Sequence, residues 1–196
     1  MIQHGYKLLG IPIADIRIAY IITASKVAGD LSYLERHKKA MRDMGLQFAE
    51  MDIESISQND FAVVCADKNV IHIEGGNTFY LLRALRKTGF DKFVLDWIAQ
   101  GKPYVGSSAG AYVACPTIEA ALWDLKERDT FGVTDLTALG QVPFLLTVHY
   151  TDNEGVFIRE KIKTASCPVR VLRDGQGLFV EGHRVTFVGG DTEVVL

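Results

Sequence analysis

Apolar and polar positions along the chain follow two alternating patterns, and together they predict an α/β architecture. Residues 18–22 form a continuous apolar stretch rich in β-branched side chains, which is typical of a strand covered on both faces. Residues 31–44 then place their apolar side chains near one face of a helix, with Asp30 positioned to cap it and Gly45 to end it. A buried strand followed by an amphipathic helix is the basic unit of a parallel sheet.

The same order of strand and helix recurs along the rest of the chain. Further strands are predicted over residues 48–53, 70–73, 103–105, 144–148 and 169–172. Helices are predicted from Asn77 to residue 87, over 91–100, from 111 and over 156–165. A hairpin over 177–190, an edge strand over 193–196 and a charged, irregular loop over 123–137 complete the pattern. We therefore predict a three-layer α/β fold with a mostly parallel sheet.

Composition narrows the class of protein. With 196 residues and 48% hydrophobic side chains, the chain can bury one core, so we expect a single domain over residues 1–196. A net charge of -3 with scattered lysines and arginines argues against nucleic-acid binding. No apolar run reaches the length of a membrane span and the N-terminus lacks a signal-peptide pattern, which predicts a cytoplasmic protein without membrane contacts. Cys65, Cys115 and Cys167 are widely spaced and predict reduced thiols rather than a zinc site.

The candidate chemistry is concentrated in the stretch 103–115. Residues 106–110 read Gly-Ser-Ser-Ala-Gly between a predicted strand and a helix of small residues, which is the setting of a G-x-S-x-G nucleophile elbow. Ser108 lies at its centre and is the predicted nucleophile, whereas the side chain of Ser107 is expected to point the other way. A purely structural turn rich in small residues is the alternative interpretation of so short a match.

Four predicted strands end in residues of catalytic type. Ligands of open α/β sheets bind at the carboxyl ends of the strands, so these ends are expected to converge. Ser108 would be the nucleophile, His149 its base and Asp174 the acid that orients the base. The backbone amides of Gly76 and Ala109 are the predicted oxyanion donors.

Each assignment has an alternative. His149 could be a core histidine, and Asp174 could simply start the Asp-Gly turn that follows it. The remaining histidines are expected to be structural: His4, His37, His72 and His183. The rival acids are Asp124, Asp129, Asp135 and Asp152. An α/β-hydrolase order of Ser, acid and His would instead pair Asp135 with His149, or Asp174 with His183, in a chain that is short for that fold.

Several of these segments together resemble a known family. They are Gly75-Gly76-Asn77-Thr78-Phe79, Gly106-Ser107-Ser108-Ala109-Gly110-Ala111, Ala114-Cys115-Pro116-Thr117-Ile118, and Val142-Pro143-Phe144 leading to His149-Tyr150. Over residues 18–190 their order is similar to that of the aspartyl dipeptidase (peptidase E) family of serine peptidases, relatives of cyanophycinase. The resemblance implies a flavodoxin-like sheet similar to class I glutamine amidotransferases, with catalytic Ser108, His149 and Asp174. It also implies short peptide substrates, with N-terminal aspartate preferred in the best-known members, and no metal or organic cofactor.

The chain departs from that family at three places. Members of the family usually begin with a strand and a helix, and only about half of that length precedes residue 17 here. The first strand of the family is therefore expected to be missing. A homodimer could cover the apolar edge that this leaves. Residues 119–124 replace a Thr-Asn-Asp-type segment, and the loop after His149 is shorter. Asn77, Asp124 and Tyr150 are the candidate substrate-binding residues, and a substrate without N-terminal aspartate is an open alternative.

The sequence thus predicts a cofactor-independent serine hydrolase that cleaves dipeptides or short peptides through an acyl-enzyme. Two other functions fit the same residues. One is an esterase or amidase that acts on non-peptide substrates, and the other is a catalytically silent binding or regulatory member of the same fold. A serine-directed fluorophosphonate separates the enzymes from the silent protein, because only an activated serine forms the adduct.

Overall fold

The computed structural model of the protein describes residues 6–123, 129–190 and 192–196. Its strands are β1 (Arg17–Ile21), β2 (Gln47–Met51), β3 (Val70–Ile73), β4 (Tyr104–Gly106), β5 (Leu145–Thr147), β6 (Val169–Val171), β7 (Gly177–Glu181) and β8 (Arg184–Val188). Within these ranges its α-helices of four or more residues are α1 (Ser32–Asp43), α2 (Phe61–Val64), α3 (Thr78–Thr88), α4 (Phe90–Ala99), α5 (Ala109–Ala114) and α6 (Gly155–Ile162), and Thr23–Val27 and Glu119–Trp123 are 3-10 helices. None of the helices in these ranges combines the length and the apolar character that crossing a bilayer requires.

A parallel sheet with strand order β2-β1-β3-β4 forms the centre of the molecule. In it, β1 pairs with β2 on one side and β3 on the other, so that Tyr20 lies beside Glu50 and His72. Strands β5 and β6 form a separate parallel pair, and β7 and β8 form an antiparallel hairpin. Because the carboxyl ends of β3 and β4 are neighbours, the segments that follow them meet at one edge of the sheet.

The two faces of the sheet bury different cores, as the continuous apolar run of β1 predicts. Ile18 and Tyr20 point to one face and pack with residues of α1 such as Leu34. Ala19 and Ile21 point to the other face, which is covered by α3, α4 and α5. The predicted three-layer α/β fold with a mostly parallel, flavodoxin-like sheet is therefore confirmed.

Local capping rules account for the helix boundaries. The Asn77 side chain accepts a hydrogen bond from the N–H of Tyr80 at 2.8 Å, which makes Asn77 the N-cap of α3 as predicted. At the start of α1 the N-cap is Leu31 rather than the predicted Asp30, whose carboxylate accepts from the N–H of Ser32 at 2.8 Å. Gly45 follows α1 with a φ of 77°, a conformation that glycine adopts without steric cost.

The C-terminal region agrees only in part with the sequence pattern. The hairpin forms, with Gly182 between its strands at a φ of 56°. The edge strand predicted over 193–196 is wrong, because within the described residues 192–196 a single antiparallel bridge, from Val194 to Val171, is formed. In the irregular segment 123–137, residues 124–128 lie outside the described part of the chain.

Candidate active site

Ser108 lies in the turn between β4 and α5, and this turn has a strained backbone. Its φ of 49° and ψ of -109° are unusual for a residue with a side chain. The flanking glycines allow close packing: a Cβ at Gly106 would overlap the carbonyl of Gly110, and one at Gly110 would overlap the carbonyl of Ile73. The turn therefore takes the tight form expected of the Gly-Ser-Ser-Ala-Gly segment, with Ser108 half-buried at its apex.

His149 follows β5 and faces Ser108. Its Nε2 lies 2.9 Å from Oγ of Ser108, and about half of its side chain is exposed. His149 also has a positive φ, 59°. Ser108 and His149, which face each other, therefore both adopt backbone conformations that are rare for residues other than glycine. The next residue is fixed by a 3.1 Å hydrogen bond from the Tyr150 N–H to the Leu172 carbonyl, which joins the ends of β5 and β6.

Asp174 follows β6 and contacts the far side of the His149 ring. Its Oδ1 lies 2.5 Å from Nδ1 of His149. A carboxylate can only accept a hydrogen bond, so Nδ1 carries the proton and Nε2 of the neutral ring is free to accept from the Ser108 hydroxyl. The three side chains therefore form one continuous line from carboxylate to hydroxyl.

The rival acids in the described residues have other partners. Asp135 pairs with Arg86 at 3.1 Å, and Asp152 pairs with Arg173. The carboxylate of Asp129 accepts from the N–H of Phe131 at 2.8 Å. The pairing of Asp135 with His149 is consequently not formed. His183 lies in the exposed hairpin turn between β7 and β8, while Asp174 pairs with His149.

The loop after β3 packs directly against the serine turn. A Cβ placed on Gly75 would lie 3.0 Å from Cβ of Ser108, and one on Gly76 would overlap the carbonyl of Ala24. Gly76 has a φ of 141°, which only glycine adopts readily. Among the described residues, no acceptor is hydrogen-bonded to the N–H of Gly76 or of Ala109. Neither predicted oxyanion donor is therefore committed to an acceptor in this part of the chain.

The candidate substrate-binding residues differ in how they are placed. Asn77 uses its amide within the protein, since Nδ2 donates to the Asp129 carbonyl at 3.2 Å and Oδ1 caps α3. Tyr150 is buried, with the guanidinium of Arg173 5.0 Å from its ring centre. Asp124 lies outside the described residues. A substrate contact of any of the three stays a prediction.

A second set of polar side chains lies buried beneath the same loops. The Ser107 hydroxyl lies 2.9 Å from Nε2 of His72, and Nδ1 of His72 lies 2.7 Å from the Tyr6 hydroxyl. Glu74, at the end of β3, is fully buried and contacts the hydroxyl of Tyr20 and, at 2.9 Å, Nδ1 of His37. Ser107 thus points away from Ser108, as the sequence predicts.

Burial and hydrogen bonding fix the charges of this buried set. Burial lowers the pKa of His72 to about 4, so its ring is neutral near pH 7. Burial alone would raise the pKa of Glu74, but hydrogen bonds from His37 and from the Gly75 N–H, with the nearby His72, bring it to about 2. Glu74 is therefore a buried carboxylate at neutral pH. Glu74 was not among the predicted site residues, although its position between an apolar strand and two glycines was a visible signal.

No set of three or more His, Cys, Asp or Glu side chains within the described ranges is arranged to hold a metal ion. The polar groups around Ser108 consist instead of an imidazole, a carboxylate and two free amides. These groups are suited to nucleophilic attack and to stabilising a developing oxyanion.

Comparison with known proteins gives a consistent result. The model of peptidase family S51 matches residues 10–188. An uncharacterized peptidase of Listeria monocytogenes is 33% identical over 171 residues, which cover 86% of this chain and 83% of that protein. Peptidase E of Streptomyces coelicolor is 28% identical over 213 residues, which cover 99% and 83% of the two chains. A crystal structure of a candidate peptidase E protein from Listeria monocytogenes superposes with a TM-score of 0.83 at 30% identity, covering 95% of this chain and 92% of that one.

Proposed function

This chain belongs to peptidase family S51 and is a serine peptidase, and from that premise we propose that it hydrolyses dipeptides or short peptides through an acyl-enzyme on Ser108. The observation that carries the proposal is the unbroken line of contacts among three strand ends. Asp174 lies 2.5 Å from His149, and His149 lies 2.9 Å from Ser108. A serine hydroxyl is a weak nucleophile unless such a base takes its proton.

In the proposed acylation, Oγ of Ser108 attacks the carbonyl carbon of the scissile peptide while Nε2 of His149 takes its proton. The carboxylate of Asp174 stabilises the imidazolium that forms. The carbonyl oxygen becomes an oxyanion, which accepts hydrogen bonds from the N–H groups of Gly76 and Ala109. When the tetrahedral intermediate collapses, the C–N bond breaks and His149 returns the proton to the leaving amine.

Deacylation repeats the same chemistry with water. His149 removes a proton from a water molecule, and the resulting oxygen nucleophile attacks the ester carbonyl on Ser108. The oxyanion again lies at Gly76 and Ala109, and the serine leaves with the proton from His149. The product carboxylic acid is released, and the free enzyme is restored.

The dipeptide substrate is inferred from the resemblance of the motifs and from the relatives named peptidase E. Residues 119–124 differ from the Thr-Asn-Asp-type segment of aspartate-specific members, so we expect dipeptides without N-terminal aspartate to be accepted. A panel of dipeptides that differ in the first residue, run beside p-nitrophenyl esters, tests this expectation. Turnover of the esters with no hydrolysis of any dipeptide in the panel would favour an esterase instead.

The serine assignment is tested with a fluorophosphonate probe and dipeptide hydrolysis. We expect Ser108→Ala to lose both labelling and turnover while keeping the thermal stability of the wild type. Ser107→Ala is the matched control, because it removes the neighbouring hydroxyl and should still be labelled. Labelling of Ser108→Ala, or peptide hydrolysis at the wild-type rate by that variant, would refute the assignment.

A further inference from the structure

The orientation of one peptide bond decides whether the proposed oxyanion hole exists. The carbonyl of Gly75 and the N–H of Gly76 belong to the same planar peptide unit and point in opposite directions. A group that fixes the direction of the Gly75 carbonyl therefore also fixes the direction of the Gly76 N–H. In glycine-rich backbone this control matters, because both flanking residues have wide conformational freedom.

Tyr33, in the first turn of α1, is placed to exert this control. Its hydroxyl donates to the Gly75 carbonyl at 3.1 Å, and this is the only hydrogen bond that the carbonyl accepts from a described residue. The Tyr33 ring is held in turn by an edge-to-face contact with His37, whose centroid is 6.2 Å away. The contact spans 42 residues of sequence, so it forms only in the folded chain.

The N–H on the other side of Gly75 is fixed as well. It donates to Oε1 of Glu74 at 2.6 Å. The other carboxylate oxygen of Glu74 accepts from Tyr20 and, at 2.9 Å, from His37. Glu74 is fully buried, so water cannot replace these partners.

We infer that Tyr33, supported by Glu74 and His37, is a positioning residue that holds the Gly75–Gly76 peptide with the Gly76 N–H directed to the oxyanion site. This inference rests on the proposed function, because it presumes that Ser108 is the nucleophile. Tyr33 acts from the α1 face of the sheet and need not touch the substrate.

The chemistry of Tyr33 suits a permanent donor. Burial and the charge of Glu74 raise the pKa of its hydroxyl to about 12, so the proton is present at any pH where the enzyme would work. The hydroxyl therefore keeps the proton that it donates to the Gly75 carbonyl. A flip of this peptide would direct a carbonyl oxygen toward the oxyanion, which is repulsive.

Tyr33→Phe is the informative variant, because it deletes the hydroxyl and keeps the ring against His37. We expect kcat for the best dipeptide to fall by about tenfold to a hundredfold with KM nearly unchanged. The affinity for a peptide boronate, whose adduct on Ser108 places an oxygen in the oxyanion site, should fall by a similar factor. The affinity for the product amino acids should not change.

Tyr80→Phe is the matched control. The Tyr80 hydroxyl donates to Glu54 at 2.5 Å, away from the Gly75 carbonyl, so its removal should leave kcat and boronate affinity at the wild-type values. Unchanged kcat in Tyr33→Phe would overturn the inference, as would a parallel loss of product affinity and thermal stability. A wild-type enzyme that fails to react with fluorophosphonate at Ser108 would instead overturn the proposed function, and this inference with it.

Discussion

Two adjacent serines each lie 2.9 Å from a histidine, yet their surroundings differ in every respect that matters for catalysis. Ser108 faces His149, whose side chain is about half exposed at the edge of the sheet. Ser107 faces His72, which is fully buried on the α1 side. Because the two distances are equal, the choice between the serines as nucleophile depends on the other surroundings of each histidine.

The third member of each set explains the difference. His149 contacts the carboxylate of Asp174, a charge that would stabilise an imidazolium in the proposed mechanism. His72 contacts the neutral hydroxyl of Tyr6, and burial lowers the pKa of His72 to about 4. Protonating His72 is therefore unfavourable near neutral pH, and Ser107 lacks an effective base. The buried pair is suited to fixing the serine turn, while the exposed pair is suited to proton transfer.

The largest predicted effect concerns the carboxylate that distinguishes the two sets. Asp174→Asn removes the charge and lets the amide donate to Nδ1, which favours the wrong tautomer of His149 for accepting the serine proton. We expect kcat/KM for a dipeptide to fall by about 10³- to 10⁴-fold, with little change in thermal stability because the side chain is exposed.

Asp152→Asn is the control for this variant, because Asp152 is a similarly exposed aspartate that pairs with Arg173 rather than with a histidine. It should retain kcat/KM within about threefold, the range expected for a surface ion pair. If Asp174→Asn also stayed within that range, the carboxylate would not distinguish the two serine–histidine pairs.

Much of the exposed set was predictable because it follows from local sequence pattern. Each member lies within three residues of the end of a strand, and parallel strands bring their carboxyl ends to one edge. The glycines around Ser108 and the Asn77 cap carry signatures that need no knowledge of distant residues. The three-layer arrangement followed from the same alternation of strands and helices.

The buried set was not predictable in this way. Glu74 meets His37 across 37 residues and Tyr20 across 54, and neither separation corresponds to a helix or hairpin period. Such contacts depend on how α1 packs on β1 and β3. The edge strand predicted over 193–196 is reduced to one bridge between Val194 and Val171, because an apolar pattern does not by itself determine how far a segment pairs.

The next prediction concerns the effect of the buried histidine, His72, on stability. The ordinary pKa of histidine is 6.5, whereas His72 titrates near 4 in the folded protein, so the unfolded chain binds more protons between these values. Stability should therefore fall as the pH drops from 6.5 to 4. At about 1.4 kcal/mol per pKa unit, His72 contributes a loss of about 3 kcal/mol, measurable by urea unfolding across that range.

His72→Gln should flatten this dependence, since a glutamine does not titrate. His183→Gln, at an exposed hairpin position, is the control and should keep the wild-type slope. Glu74 adds its own loss of stability only below about pH 4.5, because its pKa is lowered to about 2 in the folded protein. A wild-type slope in His72→Gln would mean that the buried pair is not the source of the acid sensitivity.

The smallest predicted effect tests whether Ser107 has only a structural role. Ser107→Ala leaves a buried nitrogen of His72 without its partner, so the free energy of unfolding at pH 7 should fall by about 1 to 2 kcal/mol. Dipeptide turnover should stay within about threefold of wild type, since Ser108 keeps its contact with His149. Urea unfolding and initial rates measure the two quantities. Loss of turnover as complete as in Ser108→Ala would place both serines in the mechanism and remove the distinction between the two pairs.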